Sequence, residues 1–305
     1  MRSSSFRYSR PGEFALAAPK FTPSRTAETA AAPRHIANQL ALAERNVGCV
    51  MLTIEPVRLH EATFAVIDVE TTGVDPAVDR VVEVACIRVR NGRRLETLSS
   101  LVDPGRAIPA VASAIHHIVD RDVRGAPALA DLAEPLAAMC ADAVVVAHNA
   151  SFDLRFLPFL AQRPRLCSMR FAMRVIPDAP GYKNQVLRYH LGIEAPAAES
   201  AAHRALGDAA VTSGILGICI ERHLARGGAD DLLGLLADVA GPRALPVLPF
   251  GRYRGRAFGD VPSDYLRWID RESRSASSDA RYTARCELQR RAAATRLTVA
   301  ANTPR

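Results

Sequence analysis

Five side chains, Asp68, Glu70, Asp153, His203 and Asp208, are of types that hold divalent cations and move protons. Asp68 and Glu70 close the apolar run Phe64-Ala65-Val66-Ile67 at i and i+2, a spacing that a strand turns to one side, roughly 7 Å apart. Carboxylates so placed suit oxygen ligation of hard cations, and they are expensive to bury unless paired or bound to metal. Alone, the pair reads equally well as a solvated strand end. Asp153 ends the polar turn His148-Asn149-Ala150-Ser151-Phe152-Asp153, which opens a helix. The helix dipole favours an acid there without any catalysis. Asp208 falls at helical spacing with Val211, Ile215 and Ile218, so its carboxylate lies on the stripe that faces the core and requires a partner. His203 is five positions earlier, about 140° around an ideal helix from Asp208. Both reach one point only if His203 sits on the loop or frayed turn before the helix. A histidine there can take a proton from a substrate water, with a surface or capping role as the plain alternative.

Bringing these groups together takes an alternation of strands and helices. Short apolar or β-branched runs predict strands over 64–69, 81–89, 94–102 and 144–147, and Asn91-Gly92 supplies the positive φ angles of a hairpin turn between the second and third. Leu129, Leu132, Leu136 and Met139 recur at helical spacing, with Pro135 as a kink point. Further helices are expected over 153–160, 182–191 and 204–224. Three strands followed by helices alternating with strands imply an α/β fold, a mixed sheet covered on both sides.

The chain of 305 residues, 49% hydrophobic, is long enough for one main domain and a small second one. The boundaries read as an N-terminal extension over 1–58, a main domain over 59–226, a linker over 227–246 marked by Gly227-Gly228 and the Pro-containing stretch from Gly241, and a small basic domain with its tail over 247–305. Residues 1–34 are rich in Ser, Arg, Pro and Ala without apolar periodicity and read as a disordered arm, and Met51 is an alternative start. From Arg271 onward a basic helix with a frayed tail is expected. The formal charge of +7 and pI near 9.4 favour a polyanionic partner. Cys49, Cys86, Cys140, Cys167, Cys219 and Cys286 are scattered, with no C-x-x-C pair and no clustered histidine to suggest a zinc site. A reduced, cytoplasmic compartment follows. No apolar run reaches spanning length, so no membrane is expected.

Three segments, Asp68-Val69-Glu70-Thr71-Thr72-Gly73, His148-Asn149-Ala150-Ser151-Phe152-Asp153 and His203-Arg204-Ala205-Leu206-Gly207-Asp208, occur in the order of the DEDDh exonucleases, a family that includes the epsilon proofreading subunit of bacterial DNA polymerase III. The chain resembles that family over about residues 62–222. The resemblance implies an RNase H-like mixed β-sheet flanked by helices, two Mg²⁺ or Mn²⁺ ions, and removal of nucleotides from a 3′ end. Asp68, Glu70, Asp153 and Asp208 would be the metal-binding acids and His203 the general base. Thr71, Thr72, Gly73, His116, Asn149 and Phe152 would meet the substrate, with Phe152 and Phe156 either stacking on bases or serving the core. Ile115-His116-His117-Ile118 resembles the family's His-Gly-Ile segment but has His117 where Gly is usual, and Cys167-Ser168-Met169 stands where relatives often have Asp-Thr.

At the C-terminus, Leu248-Pro249-Phe250-Gly251-Arg252-Tyr253-Arg254-Gly255 and Asp264-Tyr265-Leu266-Arg267-Trp268 resemble the small domain at the end of exonuclease X-like proteins. The alternating Arg and aromatic residues could grip phosphates and stack on bases, or could form a basic hairpin packed by Tyr253 and Trp268. Gln39-Leu40-Ala41-Leu42 has a loose likeness to a sliding-clamp-binding peptide but lacks its closing aromatic, and an ordinary short helix is the alternative. The expected substrate is single-stranded or frayed DNA at its 3′ end, for an enzyme standing alone or associated with a polymerase or clamp. RNA as substrate is a first alternative, and a non-catalytic nucleic-acid-binding module a second.

Overall fold

The computed structural model describes residues 56–194 and 203–301, with side chains as far as residue 294. The N-terminal arm, Met51, Cys49 and the segment Gln39 to Leu42 lie outside the described residues. Two compact units are present, one ending at Val239 and the other beginning at Ala240.

The first unit is built on a five-stranded sheet of order β3-β2-β1-β4-β5. Its strands are β1 (Thr63–Thr71), β2 (Val81–Arg90), β3 (Arg93–Leu101), β4 (Val144–Ala147) and β5 (Arg165–Cys167). β2 runs antiparallel to both β1 and β3, while β4 is parallel to β1 and to β5, which gives the mixed sheet expected. Asn91 and Gly92 take φ of 47° and 71°, the left-handed pair that closes a tight hairpin between twisted strands. β5 was not foreseen, because three residues with one fully buried side chain, Leu166, leave no alternation to read.

Strand parity decides which face each β1 side chain meets. Phe64 and Val66 join Phe171, Ala209, Ile215 and Cys219 in one buried cluster, and Ala65, Ile67 and Val69 join Leu136, Met139, Leu154 and Leu157 in the other. Asp68 and Glu70 continue the even series, so they share the face covered by the long helix Ala205–Ala225. That helix is anchored by a stripe of Val211, Ile215, Leu216 and Cys219, all essentially inaccessible, each worth about 1.5–3 kcal/mol of burial for the large aliphatics. Asp208 stands one turn before this stripe.

The helix expected over 153–160 is instead a helix over Ala150–Phe156 and a separate 3-10 turn over Pro158–Leu160. Pro158 has no N–H and disfavours the helical region for the residue before it, and Leu157 accordingly takes φ −121°, ψ 61°. Pro135 lies within the helix Leu129–Met139, which runs through it. The stretch 227–246, expected as a linker, carries a helix over Leu232–Ala240 whose Leu232, Leu235 and Val239 are buried in the first unit's core. Gly227-Gly228 masked that short apolar spacing.

In the second unit Leu248, Phe258, Val261, Leu266, Ile269, Ala280 and Ala284 form a small core between the helices Ser263–Arg271 and Ser278–Ala301. Among the described residues no helix is long and apolar enough to cross a membrane.

Candidate active site

Four carboxylates reach one place from three elements. Asp68 and Glu70 come from the end of β1, where the register with β2 shifts between Glu70 and Thr71. Asp153 comes from the first turn of the helix Ala150–Phe156, entered through Asn149 in the left-handed region at φ 69°. Its side chain is 3% exposed, and its Oδ1 accepts a hydrogen bond from the backbone N–H of Val69 at 3.3 Å, which ties this helix to β1 between the two acids. Asp208 sits in the first turn of the long helix and is also buried. Its Oδ2 accepts the backbone N–H of His203 at 3.1 Å, and its Oδ1 accepts Nε2 of Gln185.

His203 is exposed, has φ 57°, and precedes the helix, which begins at Ala205. This is the placement that helical geometry demanded if it was to share a point with Asp208. Ligand atoms of Glu70, His203 and Asp208 all lie within 4.8 Å of one another.

The electrostatics are those of a cluster short of positive charge. Burial, then repulsion from Asp153, Asp208 and Glu70, holds Asp68 well above the usual carboxylate range. Burial and the charges of Asp208, Glu83 and Asp153 push Glu70 up to about 8. Burial raises Asp153 to about 7 despite two backbone hydrogen bonds, and burial raises Asp208 despite Gln185 and the His203 N–H. Arg204 opposes the shift of Glu70 least of its influences, being spent elsewhere.

That other partner is Glu83, which inspection of the sequence did not pick out. Glu83 pairs directly across from Glu70, is 4% exposed, and accepts Arg204 Nε at 3.0 Å and Nη2 at 2.7 Å. It also accepts the N–H of Ala205 at 2.9 Å, so a strand carboxylate caps the long helix just where His203 and Asp208 enter the site. The available signal was a lone acid inside Val81-Val82-Glu83-Val84-Ala85. Gln185, which holds Asp208, had no such signal. Glu83→Ala should cost roughly 2 kcal/mol, since it leaves the buried N–H of Ala205 without its acceptor and removes the charge-assisted pair with Arg204. Thermal unfolding should fall by about 4–8 °C. An unchanged midpoint would mean the clamp is dispensable.

The expected substrate contacts fare differently. Thr71 and Thr72 are buried, the Thr71 hydroxyl donating to the Gly73 carbonyl at 2.6 Å and the Thr72 hydroxyl to Asp79 Oδ1 at 3.0 Å, so both hydroxyls shape the turn after β1. Gly73 is needed there because a Cβ would fall 2.4 Å from the Asp79 carboxylate. His116 is buried at 2% exposure, its Nδ1 accepting the Ile118 N–H at 3.0 Å. His117, in place of the usual Gly, takes the left-handed φ of 61° that ends the helix Ala110–His116, so the backbone shape is kept at the cost of a strained residue. Asn149 is exposed, and Phe152 is partly buried against Phe156, ring centroids 5.3 Å apart. Phe156 itself is a core residue. His148 uses both ring nitrogens on Ser168 Oγ at 2.9 Å and the Tyr182 carbonyl at 2.7 Å, so Ser168, one of the departures from the family pattern, serves as a structural partner.

Carboxylate oxygens with one imidazole beside them, crowded together and raised by their mutual charge, fit a hard divalent cation. Glu70, Asp208 and His203 offer ligand atoms close enough together to hold it, and Asp68 and Asp153 stand near enough to repel these acids.

Comparison with known proteins places this chain among nucleases. Residues 65–216 match the family model described as Exonuclease, and residues 244–275 match one described as "Putative quorum-sensing-regulated virulence factor". The chain is 33% identical over 230 residues to Exodeoxyribonuclease 10 of Escherichia coli K12, covering 73% of this chain and 98% of that protein. It is 39% identical over 165 residues to the DNA polymerase III subunit epsilon-like protein of Rhodobacter capsulatus, covering 51% of this chain but only 23% of the relative. A structure of exonuclease X in complex with 5′ overhanging duplex DNA aligns with a TM-score of 0.47 and 30% identity, over 58% of this chain and 99% of that one.

Proposed function

The chain belongs to the exonuclease family, and we propose on that premise that it hydrolyses single-stranded or frayed DNA from the 3′ end. Exonucleases of this family generally use divalent metals, and two ions, Mg²⁺ or Mn²⁺, are proposed here. The observation that carries the reading is the convergence of Asp68, Glu70, Asp153 and Asp208 beside His203, each acid holding protons more tightly than an isolated carboxyl does.

When bound, divalent cations supply charge that offsets the scissile phosphate and favours ionisation of the attacking water. Asp68, Glu70, Asp153 and Asp208 would hold them. His203, exposed beside Glu70 and Asp208, accepts the proton of that water at a ring nitrogen as the water oxygen bonds to phosphorus, the phosphorus–O3′ bond breaks and the leaving O3′ takes a proton from solvent. Gln185 and the His203 N–H fix the Asp208 carboxylate, and Glu83 with Arg204 fixes the start of the helix that carries it. The turn Thr71-Thr72-Gly73, with His116, Asn149 and Phe152, is proposed to seat the terminal nucleotide. The free state of the five described cysteines suits a reducing, cytoplasmic setting, and a polymerase partner is proposed from the epsilon-type relatives alone.

The test is a gel of 5′-labelled single-stranded DNA, duplex DNA and RNA incubated with protein and Mn²⁺. A ladder shortening from the unlabelled end, stopped by EDTA and strongest on single-stranded DNA, is expected. Faster loss of RNA would reassign the substrate, and no cleavage of any of them would leave a binding module. In the same assay His203→Ala should lower turnover by about 10²–10⁴-fold with Mn²⁺ binding retained, the range for loss of one general base. A loss below threefold would remove His203 from that role.

A further inference from the structure

The positive excess of this protein is concentrated in one small unit. Residues 240–305 hold 13 of the 39 Lys and Arg, all of them Arg, and 6 of the 32 Asp and Glu, so the entire formal charge of +7 lies there and the residues before Ala240 are balanced. Several of these arginines are committed within the unit. Arg243 pairs with Asp279, Arg285 with Asp270, and Arg290 and Arg291 with Glu287. Arg252, Arg254, Arg256 and Arg267 are exposed, and none forms an ion pair with a described residue.

Three of them, Arg252, Arg254 and Arg256, lie on a loop closed by backbone hydrogen bonds. The N–H groups of Leu248 and Gly255 donate to the carbonyls of Arg256 and Leu248, each at 2.8 Å, closing a loop around Arg252, Tyr253 and Arg254. Gly251 at φ 70° and Gly255 at φ 84° shape this loop, and a Cβ at Gly251 would lie 2.4 Å from the Tyr265 hydroxyl. Beside it, Tyr253, Tyr265 and Trp268 form a run of rings with centroids 4.9 Å and 5.1 Å apart. The guanidinium groups of Arg252 and Arg256 lie 5.4 Å and 5.7 Å from the centre of the Tyr253 ring. Trp268 is 37% exposed at the end of the run.

We propose that this face of the C-terminal unit is a second, non-catalytic docking surface for single-stranded DNA. Uncommitted arginines meet the phosphates, and a base stacks on Trp268. Arginine without a carboxylate partner is charge waiting for an anion, and an adjoining row of rings offers every base a flat apolar partner whatever the sequence. A surface serving folding alone would have paired these arginines, as Arg285 and Arg291 of the same unit are paired with Asp270 and Glu287.

Trp268 is the single tryptophan of the chain and so reports its own occupancy. The full-length protein in EDTA, where no hydrolysis occurs, is titrated with an oligothymidylate, the matching oligouridylate, and heparin. The DNA should quench Trp268 emission saturably, more tightly than the RNA, and heparin should not quench it. The variant R252Q/R254Q/R256Q should bind labelled DNA at least about tenfold more weakly, with a salt slope lower by about 2, three lost contacts at roughly 0.7 each. Metal-dependent cleavage of a nucleoside 5′-nitrophenyl phosphate, which needs only the carboxylate site, should be unchanged in that variant. DNA binding without quenching, quenching by heparin, tighter RNA binding, or a variant that binds DNA as the parent does would each overturn the proposal. Loss of nitrophenyl phosphate cleavage in the parent protein would instead count against the catalytic reading.

Discussion

Asp68→Asn should reduce exonuclease turnover by about three orders of magnitude or more, while leaving the metal-free protein at pH 8 as stable as its parent or more so. The two halves of this expectation have one cause. Asp68 is driven toward its neutral form by burial first and then by Asp153, Asp208 and Glu70, so its charge is a burden on the empty fold. Asparagine keeps the shape and removes the charge. With phosphate and cations present the same charge becomes indispensable, since the cage needs all of its anionic oxygen to offset them. Groups acting as a unit are not additive, so Asp68→Asn with Asp208→Asn should be hardly slower than either alone. Turnover is read on single-stranded DNA with Mn²⁺, stability by thermal unfolding in EDTA. Retained activity would take Asp68 out of the site. A sharp drop in unfolding temperature would make it a structural acid.

How far the amino-acid sequence carried this picture depends on how local each signal was. The even-numbered acids of β1 were placed on one face by strand period alone, and the structure has them facing the long helix. His203 had to leave the helix, because 140° separates it from Asp208 on an ideal one, and its φ of 57° ahead of Ala205 is that departure. What stayed hidden was set by distant packing. Glu83 and Arg204 are 121 residues apart, and nothing local says that a β2 acid will cap a helix. Gln185 looks like any helix-start residue until it bonds to Asp208. β5 and the helix Leu232–Ala240 were too short, or too close to glycines, for a period to emerge. The aromatic and Arg spacing of the C-terminal unit was visible, but which arginines are left uncommitted depends on where Glu287, Asp270 and Asp279 fold to.

The metal-free protein should lose thermal stability as pH rises from about 5 to 9, and Mn²⁺ should restore it by an amount that grows with pH. Asp68, Glu70, Asp153 and Asp208 all hold protons more tightly folded than unfolded. Such groups stabilise the fold fully below the unfolded carboxylate range, near 4, and the contribution drains away as pH climbs through the folded values. Those values are about 7 for Asp153 and about 8 for Glu70, so the loss runs from the unfolded range near 4 up to neutral and mildly alkaline pH and levels off above the folded values. A cation bound by the ionised acids reverses the balance, because it competes with the protons that burial and mutual repulsion retain. Calorimetric titration with Mn²⁺ in buffers of different ionisation enthalpy should therefore show proton release near pH 6.5 that fades by pH 9. Asp68→Asn should flatten the stability profile. A parent protein whose unfolding temperature in EDTA rises steadily across this window, or which binds Mn²⁺ with no proton released at pH 6.5, would show that these acids are already ionised and that their crowding exacts no toll on the empty fold.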